Sequence, residues 1–321
     1  MKKAVLATSI LAAMISTSSL AATVYKDDTS ELKVGGRAEA RFNVSDNNEE
    51  YDPVTGDKEE SAFNDKSRAR LNISGKTQIT DDLYGFGKYE NEVSSGSDIK
   101  TRYLFAGIGT QIGEFSYGKQ DTALVMITDF TDTMATFGAD ADGAVALRAG
   151  SDKQENNFAY KGKFGGFTLG ANYLAEEEAD SDQYALAGMY SFDFGLDLGV
   201  GYAGGKVADQ DANQVDIGAQ YSIADFTFGA LYLMNFSDDA AGNSNDNDGY
   251  EISAQYKLDQ WTFVGVYNYA TENDGDDDAV DNVAIEAVYK FNSNLRTYAG
   301  YKFEMIDDLD DQIQAGIRYD F

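Results

Sequence analysis

Sixteen short stretches of alternating apolar and polar residues constrain the fold of this 321-residue chain more than any other feature. In the first, residues 31–44, every second residue is apolar or small and those between them are mostly charged. A period of two with one apolar face predicts a half-buried β-strand. Each stretch is about as long as a tilted strand that crosses a bilayer. The other fifteen predicted strands cover residues 66–77, 83–93, 100–112, 114–120, 154–162, 167–175, 183–193, 195–205, 212–223, 226–236, 249–258, 260–271, 281–291, 295–305 and 312–321.

The connections between these strands alternate between short turns and long loops. Residues 224–225 and 259 form short turns, whereas residues 46–65, 206–211 and 237–248 form long polar loops. An up-and-down outer-membrane barrel has short turns at one end and longer loops at the other. A soluble sandwich of two sheets has no reason to sort its loops in this way. The sequence therefore predicts an all-β fold, a 16-stranded antiparallel transmembrane β-barrel.

The N-terminal 21 residues have the features of a secretory signal peptide. Lys2 and Lys3 precede an uncharged run, Ala4–Ile15, and small residues stand at the −3 and −1 positions of a cleavage site after Ala21. A membrane-anchoring helix is the alternative, but the apolar run is too short to span a bilayer. We therefore expect residues 22–321 to form a single barrel domain. Without the two lysines its formal charge is −32 rather than −30.

The amino-acid composition argues against several classes of function. The chain has no Cys and no His, which removes disulfides and most metal, proton-shuttle and nucleophile-base arrangements. We expect no catalytic residues, no metal site and no cofactor. The strong negative charge argues against nucleic acid, because its binding needs a basic surface.

The segment Lys119–Arg148 interrupts the strand pattern for almost thirty residues. Residues 123–127 are apolar, and the later part is small and acidic. Apolar side chains gain free energy by burial, so disorder is a poor explanation. The segment either packs on itself at the surface or folds into the barrel lumen and narrows it. We expect the inward-folded arrangement, with this segment as the third loop.

Basic residues recur on the polar faces of the early strands. They are Arg37, Arg41, Arg68, Arg70, Lys100 and Arg102. In a barrel these faces point into the lumen. Asp132, Asp140 and Asp142 of the long segment could lie opposite them and create a transverse field at the narrowest point. Alternatively, local neighbours neutralise these charges.

The clustered carboxylates of the acidic loops suggest calcium binding. Ser244–Gly249 resembles the start of a calcium-binding loop, but Gln255 stands at the twelfth position, where such loops have Glu. A specific metal site is therefore not expected. Divalent cations held loosely by the loops could instead bridge to phosphates of the outer-leaflet lipid and lipopolysaccharide.

Several runs of sequence resemble the general diffusion porins of Gram-negative outer membranes, most of all those of marine gammaproteobacteria. The resemblance covers nearly all of residues 22–321. The most specific runs are Ala69–Glu90, Lys100–Gly109, Gly113–Lys119, Phe130–Asp140 and the terminal Gly316–Phe321.

The resemblance implies a homotrimer whose third loop folds inward and faces basic residues on the wall. By motif position, Arg37, Arg70, Arg102 and Arg148 would form the basic side of the constriction, with Tyr117 at the wall. Asp132, Asp140 and the loop backbone would form the opposite side. Thr136 stands where the family often has Glu. The terminal strand ending in Phe321 would be read by the barrel-insertion machinery.

Taken together, we expect an outer-membrane porin, a passive water-filled channel for small hydrophilic solutes and ions with weak cation preference. Alternatives are a solute-specific outer-membrane channel and a barrel that acts mainly as an adhesin or structural protein. An enzyme is disfavoured because no spacing of carboxylates singles out a catalytic pair.

Overall fold

The computed structural model describes residues 21–49, 61–96, 98–175, 181–207, 210–237, 244–272, 275, 277–307 and 309–321. The expected signal peptide lies outside these ranges except for Ala21, and parts of the acidic loops lie outside them too. In the described residues, no helix combines the length and apolarity that crossing a membrane requires.

The described chain is dominated by antiparallel strands. They are β1 (Ala22–Lys26), β2 (Ser30–Val44), β3 (Phe63–Asp65), β4 (Arg68–Thr80), β5 (Leu83–Ser94), β6 (Ile99–Thr110), β7 (Gly113–Gln120), β8 (Gln154–Phe164), β9 (Phe167–Leu174), β10 (Gln183–Ser191), β11 (Leu196–Val207), β12 (Gln210–Ile223), β13 (Phe226–Ser237), β14 (Asn247–Leu258), β15 (Trp261–Glu272), β16 (Asp277–Lys290), β17 (Leu295–Glu304) and β18 (Gln312–Asp320).

The sheet closes on itself because the last strand pairs with the first long one. The β18–β2 register runs from Ile313 opposite Val44 to Asp320 opposite Arg37. Phe321 continues the seam, since its amide donates to the Gly36 carbonyl at 3.0 Å and its carbonyl accepts from the Gly36 amide at 2.8 Å. Closure of the described strands removes the free edges of the sheet. The unpaired backbone groups of a free edge would cost free energy in a bilayer.

These eighteen segments occupy sixteen positions around the ring, which confirms the predicted closed 16-stranded barrel. β4 pairs with one edge of β2 over Ser30–Glu39, and β3 pairs with residues 42–44 of β2, so β3 continues β4. β1 pairs with the opposite edge, in line with β18. Both short segments were missed in the sequence, because neither is long enough to show a clear period of two.

Several strands run further than their apolar pattern indicates. The six-residue loop predicted at 206–211 is a two-residue connection, since β11 and β12 stay paired as far as Val207 opposite Gln210. Backbone pairing needs no apolar face, so strands can continue beyond the membrane-facing part. The short turns at the other end match the prediction, for example at residues 224–225 between β12 and β13.

The two faces of the sheet have opposite chemistry. Large apolar side chains such as Leu104, Ile217 and Ile252 are about half exposed, as expected for a face that meets lipid. The alternating positions carry polar side chains, and Gln214 and Glu251 among them are completely buried. We call these the outer face and the polar face.

Residues 121–153, between β7 and β8, form what we call the inserted segment. It contains two short helices, α1 (Val125–Thr128) and α2 (Asp140–Val145), and one turn of 3-10 helix over Arg148–Gly150. The sequence predicted that this segment interrupts the strands but gave no sign of these helices, since four to six residues are too few to show a helical period.

Candidate functional site

The inserted segment contributes the largest apolar cluster of the described structure. Leu124 and Ile127 are completely buried, and Phe130 nearly so. They pack over glycines on the polar face of β11 and β12, and a Cβ added at Gly201 or Gly218 would collide with them. Small wall residues therefore let the segment lie flat on the sheet, and burial of each large side chain contributes about 1.5–3 kcal/mol.

A buried carboxylate on β14 holds the middle of the inserted segment. Glu251 Oε2 accepts a hydrogen bond from the Thr131 hydroxyl at 2.5 Å. Its Oε1 accepts from the amides of Ala141 and Asp142 at 3.2 and 3.3 Å. These amides open helix α2, and helix N-terminal amides have no partner within the helix itself. Glu251 thus satisfies them with a charged acceptor.

A second carboxylate, on β16, holds the tip of the segment. Glu286 accepts from the amide of Ala135 at 2.9–3.0 Å and from that of Thr136 at 2.7 Å. The side chain of Thr136 packs against Gly300 of β17. The position that carries Glu in the resembling family is therefore occupied here by a hydroxyl residue turned towards the wall.

Neutral amide side chains on other strands secure the rest of the segment backbone. Asn172 of β9 accepts from the Ala123 amide at 2.7 Å, and Gln214 of β12 accepts from the Leu147 amide at 2.7 Å. Gln183 of β10 accepts from Ala149, and Asn235 of β13 donates to the Val145 carbonyl. Together with Glu251, Glu286 and the Gly300 contact, the attachments extend over the polar faces of β9 to β17.

The strands that complete the ring carry a cluster of guanidinium groups, which we call the arginine wall: Arg37, Arg68, Arg70 and Arg102. Arg37 and Arg70 are directly opposite each other in the β2–β4 register. The prediction that these basic residues share one face agrees with their ion-pair partners, all of which lie on the polar face of β2 or β5.

Those partners are wall carboxylates. Glu39 lies 2.5 Å from Arg68 and 3.6 Å from Arg37. Arg70 pairs with Glu92, and Arg102 Nε lies 3.0 Å from Glu90. The arginine wall therefore has the local ion pairs of the alternative interpretation, since each of its guanidinium groups pairs with a carboxylate on the same or a neighbouring strand.

Asp140 of the inserted segment has partners on the wall, whereas Asp132 faces solvent. Asp140 accepts from Asn282 of β16 at 3.0 Å and lies 3.4 Å from the Lys302 ammonium of β17. Asp132 is exposed. Arg148 is also exposed, and its Nε donates to Gln154 of β8 at 3.1 Å.

Tyr117 does not belong to this site, so that prediction was wrong. Its ring stacks on Phe158 at 4.4 Å between centroids, and both side chains are half exposed on the outer face. The β7 residue that reaches the polar face is its neighbour Ser116, whose hydroxyl bonds to Gln120. A strand alternates at every residue, so a shift of one position moves a side chain to the other face.

The residues that attach the inserted segment were missed in the sequence. Glu251 and Glu286 each interrupt an otherwise apolar or small run on their strands, which is the one signal that could have singled them out. In the described residues, no group of three or more Asp, Glu, His or Cys side chains is arranged to hold a metal ion.

Asp142 of the inserted segment mostly keeps its proton at neutral pH. Burial, with Asp216 and Glu251 nearby, raises the pKa of Asp142 to about 8. Because the folded-state pKa is raised, this group favours the folded state at low pH, and that contribution is lost as pH rises to about 8.

Raising the pH from 6 to 9 is therefore expected to add a negative charge to the inserted segment and to increase permeability to cations relative to anions. Reversal potentials in a salt gradient at several pH values measure this change. Asp142→Asn keeps the side-chain shape and cannot ionise, so it should remove the part of the shift centred near pH 8. The part near pH 7 should remain, because burial raises the pKa of Asp129 in the same segment to about 7. An equal shift in that variant would assign the titration to another group.

The chain is similar in sequence to a known protein family and to proteins of marine bacteria. A family model described as Gram-negative porin matches residues 7–309. Porin-like protein L of Photobacterium profundum is 38% identical over 348 residues, with both chains covered completely. Outer membrane protein U of Vibrio vulnificus is 38% identical over 362 residues, again with both chains covered completely.

Solved structures show the same fold at lower identity. Salmonella typhi OmpF in complex with daunomycin gives a TM-score of 0.79 at 21% identity, covering 94% of this chain and 100% of that one. The trimer form of Vibrio cholerae OmpT gives 0.73 at 20% identity, covering 92% and 100%. At this level of identity the likeness concerns the barrel fold alone.

Proposed function

Because the chain belongs to the Gram-negative porin family, we propose that its inserted segment forms the narrowest part of a diffusion channel. The protein is an outer-membrane porin, and its closed barrel is a passive path for small hydrophilic solutes. The observation that carries the proposal is the attachment of one segment to the polar faces of nine successive strands, β9 to β17. The arginine wall then bounds the open side.

The charges on the two sides support a weak preference for cations. Each ion pair of the arginine wall cancels much of its field, so the wall is only mildly positive. Exposed carboxylates such as Asp132 lie on the inserted segment. The strongly acidic chain, with a formal charge of −30, further raises the local concentration of cations.

Neutralising Arg70 and Arg102 tests this assignment. Replacing both with Gln leaves Glu90 without its arginine partner and Glu92 with Arg68 alone, at 3.7 Å, so we expect cation-to-anion permeability to rise about two- to fivefold at low salt. Reversal potentials of purified protein in planar bilayers measure the ratio. Conservative Lys replacements keep the charge and should stay close to the unmodified protein.

A control for the loss of positive charge lies away from the proposed constriction. Lys163→Gln removes one exposed positive charge beside the short turn after β8 and should change the permeability ratio little. A similar shift from Lys163→Gln would show that total charge, and not the arginine wall, sets selectivity. A barrel without conductance would favour the adhesin or structural alternative.

The remaining partners are proposals of the same kind. We infer a homotrimer, supported by a similar fold whose structure is described as a trimer form. Small side chains at Ala38, Ala40 and Ala69 leave a groove of about 580 Å³ on the outer face, where a second copy could pack. The mass of the detergent-extracted protein, before and after heating, tests this inference.

We also propose contacts with lipopolysaccharide and with the barrel-insertion machinery. The acidic loops could bind lipopolysaccharide through divalent cations, and a chelator should then lower the melting temperature.

The ring of Phe321 lies over Gly36 on the outer face at the closing seam. Its position suits recognition before closure, and Phe321→Ala should then slow assembly in the membrane.

A further inference from the structure

Four aromatic side chains face the lumenal side of two neighbouring strands. Tyr84 and Phe86 alternate along β5, and Tyr103 and Phe105 along β6. They share the polar face with Glu90, which lies opposite Tyr103 in the register. We call this group the aromatic ladder. On the polar faces of the described strands one further aromatic residue occurs, Tyr298, which is buried and donates to Glu39.

The rings of the aromatic ladder are contiguous. Centroids lie 6.0 Å apart for Tyr84 and Phe86, 6.3 Å for Phe86 and Phe105, and 6.2 Å for Phe105 and Tyr103. Phe86 lies along the wall because its neighbour on β6 is Gly107, where an added Cβ would come within 2.8 Å of the ring. A ring held flat on the wall presents its other face to the lumen.

A cavity of about 430 Å³ separates the aromatic ladder from the start of the inserted segment. Its volume is within the range of about 300–1000 Å³ that small-molecule sites have. Val125, Met126 and Met189 add apolar surface on the far side. Lys88, Glu114 and Asp129 line the same cavity, so polar groups of both signs surround the apolar surface.

The two tyrosines fix the charged groups around the phenylalanine rings. The Lys76 ammonium lies 3.5 Å from the centroid of Tyr84, and the Lys88 ammonium lies 3.5 Å from that of Tyr103. The Tyr84 hydroxyl donates to Glu114 at 2.6 Å, and the Tyr103 hydroxyl donates to Asp121 at 2.8 Å. A lysine ammonium therefore covers one face of each tyrosine ring. The faces of Phe86 and Phe105 are left for a solute.

This combination selects for one kind of solute. A flat apolar face suits the C–H face of a sugar ring, and a rim of donors and acceptors suits its hydroxyl groups. A simple ion would gain little from the phenyl faces. A wholly apolar solute would leave the charged rim without hydrogen bonds, which costs free energy.

We propose that the aromatic ladder is a binding site for neutral sugars of one or two rings, which pause there during passage. Such a site would add selectivity to otherwise non-selective diffusion. The proposal depends on the proposed function in one respect, that the lumen conducts ions. Because binding would obstruct ion flow, bound sugar should reduce the current through an open channel.

The experiment records ion current through purified protein in planar bilayers while maltose is added. Sorbitol at equal concentration is the control for viscosity, since it has hydroxyl groups but no ring. We expect saturable block by maltose and only a small linear decrease with sorbitol. Equal effects of the two, or block by planar aromatic alcohols but not by maltose, would overturn the proposal.

Substitutions test whether block by maltose depends on the two phenyl rings of the aromatic ladder. Phe86→Leu with Phe105→Leu keeps apolar volume but removes both ring faces, so the half-blocking maltose concentration should rise about tenfold. Phe115→Leu on the outer face of β7 is the matched control and should leave block unchanged. The block by maltose is compared with each protein's own current in the absence of sugar. Unchanged block in the double variant would refute the ladder as the site.

Discussion

Glu251→Ala is expected to release the inserted segment from the wall and to increase single-channel conductance. The substitution leaves three donors without their acceptor: the Thr131 hydroxyl and the amides of Ala141 and Asp142. Each such loss costs about 1–3 kcal/mol. Loss of even about 3 kcal/mol corresponds to a rise of more than a hundredfold in local opening. Hydrogen exchange of amides 131–142 measures this directly.

Two further variants make the Glu251 result specific. Glu251→Gln retains an oxygen acceptor and similar size, so exchange and conductance should stay near those of the unmodified protein. Ile252→Ala changes the adjacent residue on the outer face, which is 56% exposed, and should leave the segment in place. If Glu251→Ala left both exchange and conductance unchanged, Glu251 would not be an anchor.

Glu39→Leu is expected to lower barrel stability and to shift selectivity towards anions. Glu39 is 3% exposed and holds Arg37, Arg68 and the Tyr298 hydroxyl around one carboxylate. Its removal takes the ion-pair partner from the partly buried Arg37 and leaves Arg68 with Glu92 alone, at 3.7 Å. Removing one partner of a buried ion pair typically costs about 3–5 kcal/mol. Thermal unfolding in detergent and reversal potentials measure the two effects.

The double variant Glu39→Leu with Arg68→Leu separates a charge effect from a packing effect. Removing both partners of the Glu39–Arg68 ion pair should restore part of the lost stability, because the charge of Arg68 has gone as well. Glu155→Gln changes an exposed carboxylate on β8 and serves as the control. A double variant as unstable as the sum of its single changes would show that the pair is not coupled.

The sequence predicted the architecture well because barrel strands are specified locally. Strand β18 alternates apolar and polar residues to its end, and β2 does so over fourteen of its residues. Each period of two is visible within one strand, without knowledge of its neighbours. The same alternation placed Arg37 and Arg70 on the polar face, whereas Arg102 reaches that face through an irregularity in the pairing of β6 with β5.

The same reasoning failed where a single position or a distant partner decides the outcome. Tyr117 was assigned to the wall from a motif position, but the pleat of β7 turns it to the outer face. Asp140 was predicted opposite the arginines, and its local partners, Lys302 and Asn282, were not predicted. Helix α2 was not predicted because its six residues depend on the Glu251 carboxylate for their N-terminal bonds.

The sequence alone determined that this chain forms a closed barrel with one interrupting segment, because alternation and loop length are properties of contiguous residues. The tertiary structure decided which charges pair and where the inserted segment lies. Glu39 meets Arg68 and Tyr298 only after β2 lies between β4 and β18, and Thr131 meets Glu251 across 120 positions of sequence. Such contacts depend on register and curvature, which no local pattern encodes.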